Sequence, residues 1–468
     1  MTLPRRTRRR IDAAVAAVIA VIVAVTAFVL WQGSDFRATA DDVASSSQAP
    51  ATPSPAATVP ATLAARWELT TDPRYGAIAS PYGSVVTADE HTVTGYDATT
   101  GTKVWSYSRS NRTLCAIGSG DTTTDDLDQW TGVHGIVTVY AKNGYCSQVT
   151  LLNPSTGARL YQRTSPTQTD SQLFFGTPYV GFLGHDYLEL WRHDLYTTIR
   201  YGDQPNPVNS DGPHLGCTFT DAAVTDLALA TIEHCTDAPG TAKLVLNWPT
   251  PKDAPDNGTN GWDENHSTPK ATIDTHSPQA VIVGITSDRA AVLVSQPSPA
   301  LVVYDSSGTE ISRTPIDVTA AEIAATAKAG ITPSVTYNGI RYTLVGHHLL
   351  SVSAQDVSVA VTATPTTTAP ATDQAAPPST GDAVPQTTTE ASPVLDWTAD
   401  DARGLPAEIG GSILVPVDAG LAVRDAENGT VARTIDVQRA GYTGRVDAAA
   451  VGTTIVEVRG SHVVGLSG

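Results

Sequence analysis

The chain has 468 residues and a formal net charge of −18, is 41% hydrophobic, and holds 37 Gly and 31 Pro against one Met and six Phe. That length and apolar share can fill a large core, and the Gly and Pro content favours short strands and many turns over a helical fold. Arg5, Arg6, Arg8, Arg9 and Arg10 face only Asp12 in the first thirty residues, so the remainder carries 24 basic and 46 acidic side chains, which excludes nucleic acid and anionic lipid surfaces as partners of that body.

Residues 1–12 form a basic tail. Ala13 to Trp31 are nineteen uncharged residues, mostly Ala, Val and Ile, whose helical length is close to the roughly 30 Å thickness of a bilayer core. With the arginines before this run and Asp35, Asp41 and Asp42 after it, the positive-inside bias places the N-terminus in the cytoplasm and everything beyond Trp31 outside. Ala38-Thr39-Ala40 has the shape of a signal-peptide cleavage site. However, the apolar run exceeds the usual roughly 7–15 residues and Trp31 to Arg37 separates it from that site, so the expectation is an uncleaved anchor.

Residues 32–64 are dominated by Ala, Ser, Thr and Pro and read as a disordered tether with a reach of roughly 30 Å. A second stretch of the same character, residues 362–392, reads as a disordered insertion in the folded region, residues 65–468.

A turn motif recurs in that region. In Tyr96-Asp97-Ala98-Thr99-Thr100-Gly101 the carboxylate can accept bonds from the turn's own N–H groups while Gly101 takes the positive φ that closes the loop. Weaker copies are Asn153 to Gly157, Asp305 to Gly308 (one residue shorter) and Asp425 to Gly429. Their glycines lie 56, 151 and 121 residues apart, which fits one, three and two units of about 50 residues, the period of propeller blades.

Strand candidates follow that period. Gly76–Ser80, Ser84–Ala88, Thr92–Asp97 and Thr102–Ser106 make one four-stranded blade. Further blades are read at Leu114–Arg163, Phe174–Tyr201, Cys217–Ile273 and Ala280–Pro315, then a short helix at Thr319–Lys328 ending at Gly330. A sixth blade starts near Val335 and resumes after the insertion at Val394–Thr398, and a seventh covers Gly410–Val437. After Val437 only three strands remain, Val446–Val451, Thr454–Arg459 and His462–Leu466, and Arg66-Trp67-Glu68-Leu69-Thr70 has the look of the missing fourth. Pairing the two chain ends closes an eighth blade and leaves no open edge. The fold class is therefore an all-β, eight-bladed propeller behind an N-terminal transmembrane helix, with seven blades as the alternative.

Four cysteines lie outside the membrane on this topology, where disulfides persist. Local pairing needs only neighbouring strands, so Cys115 is expected to bond Cys146 and Cys217 to bond Cys235, with zinc held by cysteine and His214 or His234 as the other reading.

With Asp97, Gly101 and Trp105, the first repeat resembles the pyrroloquinoline-quinone-type (PQQ-like) propeller repeat, of form Leu-Asp-x-x-Thr-Gly-x-x-x-Trp. The whole chain is similar to membrane-anchored PQQ-like propeller proteins of actinobacteria, in keeping with only six Lys among 29 basic residues. The resemblance implies that Trp105, and by position Trp67 and Trp397, stack between blades, with Tyr161 as a substitute. Quinoproteins of that superfamily hold quinone and Ca²⁺ with adjacent cysteines, an Asp base and Glu or Asn ligands. This chain has no adjacent cysteines, so no cofactor is expected, PQQ and Ca²⁺ being the alternatives.

The sequence has no G-x-S-x-G, H-E-x-x-H, Walker A or G-x-G-x-x-G motif, and no catalytic residue is assigned. Asp121, Asp125, Asp126 and Asp128 read as a solvated connection, with Ca²⁺ binding the alternative, and the loop from Asp256 to Gly261 has Ser267 where a calcium loop needs an acid. His347-His348 precedes a strand and reads as a turn, with a metal-ligand pair as the alternative. Two functions remain: a tethered scaffold for envelope proteins, and a small-ligand binder or enzyme using the ring's centre.

Overall fold

A computed structural model describes residues 5–120, 135–165, 167–203, 214–250, 269–361 and 386–468. Eight antiparallel sheets form the blades of a β-propeller. In blade one the strands are Ala77–Ser80, Ser84–Ala88, Thr92–Asp97 and Lys103–Arg109, paired in sequence order. Blades two to five span Leu114–Thr164, Gln172–Gly202, Cys217–Asp274 and Ala280–Pro315. Blade six runs from Ser334 to Ala399, and blade seven begins one strand earlier than the sequence indicates, at Ala407–Ile409.

Blade eight joins the chain ends. Ala64–Thr70 lies antiparallel to His462–Ser467, with Trp67 opposite Gly465 and Glu68 opposite Val464. The ring therefore closes by strand pairing between segments almost 400 residues apart.

Eight hydrophobic clusters fill the eight blade interfaces. Each sheet is consequently covered on both faces, and alternate residues of one strand serve different interfaces. In Ala280–Ile285, Ala280 and Ile282 pack toward blade four, and Val281 and Val283 toward blade six. Such strands read as unbroken apolar runs.

The turn motifs act alike. Asp97 Oδ1 accepts the N–H of Thr99 and Thr100 at 2.9 and 2.8 Å, and Asn153, Asp305 and Asp425 do the same in their turns. The glycine of each turn is the docking floor for the preceding blade. Trp105 is fully buried; its Nε1 donates to Pro154 O at 2.9 Å and its ring lies against Gly157. Trp67 donates to Ala98 O and covers Gly101, and Trp397 donates to Ala426 O and covers Gly429. Gly308 meets Ile273 of blade four instead, and Tyr161, read as a substitute, is 48% exposed.

Both disulfides have the local pairing, Cys115 with Cys146 and Cys217 with Cys235. The zinc alternative at these cysteines is thereby excluded, because a disulfide sulfur has no thiolate to offer.

Two low-complexity readings are corrected. Residues 32–64 are not a free tether. After the helix Arg5–Gln32, long and apolar enough to cross a membrane, Asp35–Ala38 forms one helical turn and Thr39–Asp42 adds a fifth strand to the outer edge of blade one. Asp35 is gripped by Arg112 at 2.5 Å, Lys142 at 3.6 Å and Arg109 at 3.7 Å, and Asp41 by Arg159 at 2.8 Å. The following segment then straps three blades: Pro50, Ala51 and Pro53 lie on Gly83 of blade one, Pro53 on Gly452 of blade eight, and Ala57 on Gly410 of blade seven. Ala56, Val59 and Leu63 pack into the interface of blades seven and eight, and Arg433 donates to the carbonyls of Val59, Pro60 and Ala61. Proline tolerates this course because it needs no partner for an N–H.

The second correction concerns the insertion. Its last residues are strand: Gln386–Ala399 pairs with His348–Val361 over their full length. The acidic loop with Asp121, Asp125, Asp126 and Asp128 and the loop from Asp256 to Ser267 lie outside the described residues, as does most of 362–392.

Candidate functional site: the central channel and its two ends

First and third strands of every blade run in the same direction. One face of the ring therefore carries the Asp-x-x-x-Gly turns and the turns after first strands; the other carries the turns between second and third strands and the crossings between blades. First strands surround a central cavity of about 1080 Å³. Ala77, Phe175, Ala223, Ile285 and Ala449 typify its wall, which is mainly apolar.

At the crossing face the connection between blades five and six covers part of the channel. The helix Ala320–Ala329 carries Thr319 as N-cap, with a reciprocal bond to Glu322, and ends at Gly330. Beyond it the chain binds blades three and four: Gln172 Nε2 donates to Ala329 O, Gln172 Oε1 accepts Ile331 N–H, and Asp221 accepts Thr332 N–H at 2.9 Å and its hydroxyl at 2.6 Å. Asp221 Oδ2 also accepts Ile282 N–H at 2.7 Å. Burial pushes the Asp221 carboxyl up, against the pull of these hydrogen bonds.

Charged groups on the wall are few. Arg445 pairs with Asp447 at 2.8 Å, and Asp447 also accepts Leu405 N–H. Arg341 is different. It lines the cavity, its Nε has no hydrogen-bond partner among the described residues, and burial depresses its guanidinium against the field of Asp221. Sequence reasoning missed Arg341, and only its position two residues after the Asn338-Gly339 turn marks it as facing the ring's centre.

At the turn face blade six is prolonged. Its second strand ends its pairing at Ile340 with Ser353, but the third and fourth strands continue from Ala354 opposite Pro393 to Val361 opposite Gln386. The result is a two-stranded arm of eight rungs, about 25 Å at strand rise, standing beside the channel mouth. Its base is fixed to blade five by Thr286 Oγ1 donating to Ala391 O at 3.1 Å and by Arg289 with Glu390 at 2.9 Å. Such a ribbon is marginal alone in water, so these contacts hold its root.

Buried carboxylates elsewhere are already paired. Burial pushes Glu189 up, but Arg163, Arg200 and Ser165 outweigh it and hold the group charged. Glu457 is clamped by Arg439 and Arg459.

The wall does not suit quinone and Ca²⁺ as quinoproteins hold them. Its carboxylates, Asp226 and Asp447, come from blades four and eight, and the cysteines are in separate disulfides. The repeat residues Asp97, Gly101, Asn153, Gly157, Asp305, Gly308, Asp425 and Gly429 are all at blade interfaces or turns, away from the cavity wall.

No protein-family model matches the chain. No curated protein matches it either. Among solved structures, it is similar to a chain of the mitotic checkpoint complex at 10% identity and TM-score 0.39, covering 89% of this chain and 96% of that one. It is also similar to a quinohemoprotein alcohol dehydrogenase from Pseudomonas putida at 12% identity and TM-score 0.42, covering 89% and 78%. The assignment of a propeller rests on the sheets themselves.

Proposed function

We propose that the chain is a membrane-anchored, PQQ-like propeller of the actinobacterial type that serves as an extracytoplasmic interaction scaffold in the cell envelope. Residues 13–31 hold it in the bilayer with the N-terminus in the cytoplasm, and the two disulfides fit an oxidising compartment. The observation that carries the reading is the blade-six arm. Beyond Ser353 its third strand has no inner neighbour among the described residues, which leaves one backbone edge for an added strand of a partner envelope protein.

The test is site-specific photocrosslinking in intact cells. A probe at Asp356, exposed on the arm's third strand, is expected to give one discrete adduct, and a probe at Glu310 on the outer strand of blade five none. Equal labelling at both positions, or none at either, would reject the scaffold.

A second reading has its own observation, the unpartnered Nε of Arg341 in the cavity wall. It makes the cavity a pocket for a small ligand with an anionic group. A panel of small carboxylates and phosphates should then raise the melting temperature of the native chain and leave Arg341→Gln unmoved.

A further inference from the structure

On the crossing face three potential metal ligands from separate elements converge. Glu322 stands in the first turn of the interblade helix, and His347 and His348 follow Gly346 in the turn between the second and third strands of blade six. Glu322 Oε1 lies 2.8 Å from His347 Nδ1 and 3.6 Å from His348 Nε2, and all three ligand atoms fall within 4.8 Å of one another. Tetrahedral zinc, with bonds of about 2.0–2.1 Å, needs donor separations of about 3.4 Å, which this spread brackets.

The surroundings divide the labour among the same atoms. Glu322 Oε2 is occupied by the N–H and hydroxyl of Thr319, which fixes the carboxylate and leaves Oε1 for the histidines. His348 is buried, and its Nδ1 lies 2.9 Å from Asp400 Oδ1. With the proton on Nδ1, Nε2 presents its lone pair toward Glu322, the carboxylate–histidine arrangement that orients metal-bound imidazoles. Gly346 makes room: at its φ of +62° a Cβ would stand 2.4 Å from Glu322 Oε1. The His347 side chain is 61% exposed, so solvent reaches the fourth tetrahedral position.

We propose that Glu322, His347 and His348 bind a divalent transition-metal ion of the zinc type, with Asp400 positioning His348. Two imidazoles and one carboxylate select borderline ions such as Zn²⁺, Co²⁺ or Ni²⁺ over Ca²⁺ and Mg²⁺, which prefer all-oxygen shells. The other cluster of this kind among the described residues, Cys217, Glu233 and Cys235, is excluded by its disulfide.

The test uses the full chain, free of affinity tags, in detergent at about pH 7.5. Zn²⁺ is titrated calorimetrically and Co²⁺ by its visible absorption. One equivalent should bind, with a tetrahedral cobalt spectrum. Affinity should fall at least about tenfold in His347→Ala, an exposed position that spares the fold, further in the His347→Ala/His348→Ala double variant, and by about 10–100-fold in Asp400→Asn. Binding no tighter in the native chain than in the double variant, or binding of Ca²⁺ in preference to Zn²⁺, would overturn the assignment.

Discussion

Gly157→Ala is the sharpest probe of how the ring is held, because its cost depends on a side chain in another blade. The added Cβ would lie 2.7 Å from Cδ2 and Cε3 of Trp105, at a backbone φ of +73°. The left-handed conformation costs a non-glycine residue about 1–2 kcal/mol. Displacing a buried indole adds overpacking of about 1–3 kcal/mol, for a total of about 2–5 kcal/mol. Trp105→Ala alone removes the ring and its bond to Pro154 O, at about 3–5 kcal/mol. In that background the alanine at 157 meets no ring, and only the backbone term of about 1–2 kcal/mol remains. The double variant should therefore be more stable than additivity predicts by about 1–3 kcal/mol. Guanidinium midpoints of the full chain in detergent, followed by far-UV circular dichroism, measure this without relying on the deleted fluorophore. Additivity within about 0.5 kcal/mol would refute the view that Gly157 is the floor on which Trp105 of the preceding blade docks.

Arg433→Ala removes three donors from the strap carbonyls and should cost about 1–2 kcal/mol while speeding proteolysis within residues 50–62; an unchanged cleavage rate would show that the strap is not held there. At Asp35 the hydrogen bond from Asn111 acts against partial burial, joined by Arg112 and Arg109, and holds the carboxyl at about 2 against an ordinary 3.8. Because the folded value is depressed, its contribution is complete above about pH 4 and is lost as pH falls toward 2; with 41% of the side chain exposed it is under about 1 kcal/mol. Amide exchange at Ala40–Asp42, corrected for intrinsic rates, should accelerate below about pH 4 in the native chain and show no such step in Asp35→Asn; identical profiles would discard the clamp. Replacing Cys217 and Cys235 together by Ser opens a loop of 18 residues and should cost about 3 kcal/mol, measured by the same denaturant midpoints; a loss below about 1 kcal/mol would assign the stability of blade four to packing alone.

What was legible in the sequence is what short-range chemistry writes there. The Asp97 to Gly101 turn needs only a carboxylate and a residue free to take φ of +70°, so its copies can be counted. That count leaves the last blade one strand short and points to Arg66-Trp67-Glu68-Leu69-Thr70, and the strand formed is Ala64–Thr70. Partners far away in sequence were not legible. The strap has the composition of a tether because its fixation comes from Arg433 and from glycines of blades one, seven and eight, not from its own Ala and Pro residues. His347-His348 is a turn, and of the ligand pair it offers as the alternative, the sequence cannot show the third group, Glu322, which arrives from the preceding interblade helix. The end of the insertion was misread for a related reason: Gln386–Ser392 is Thr-rich and polar, yet it gains order from Gln355–Val361 across the hairpin.

The point of attachment decides what the ring can present. Only Gly33 and Ser34 separate the apolar helix from the Asp35–Ala38 turn, and Thr39–Asp42 is hydrogen-bonded to the outermost strand of blade one, so the helix joins the ring at its rim. An anchor fixed to either face would bury the channel mouth or the crossing helix. One fixed to the rim leaves both accessible. The strap then runs over blades one, eight and seven on the turn face, opposite the arm of blade six across blades two to five in one direction and beside it through blade seven in the other. On the proposed scaffold role, a strand added to the arm would thus meet the strap's Arg433-bound stretch only if it extended over blade seven.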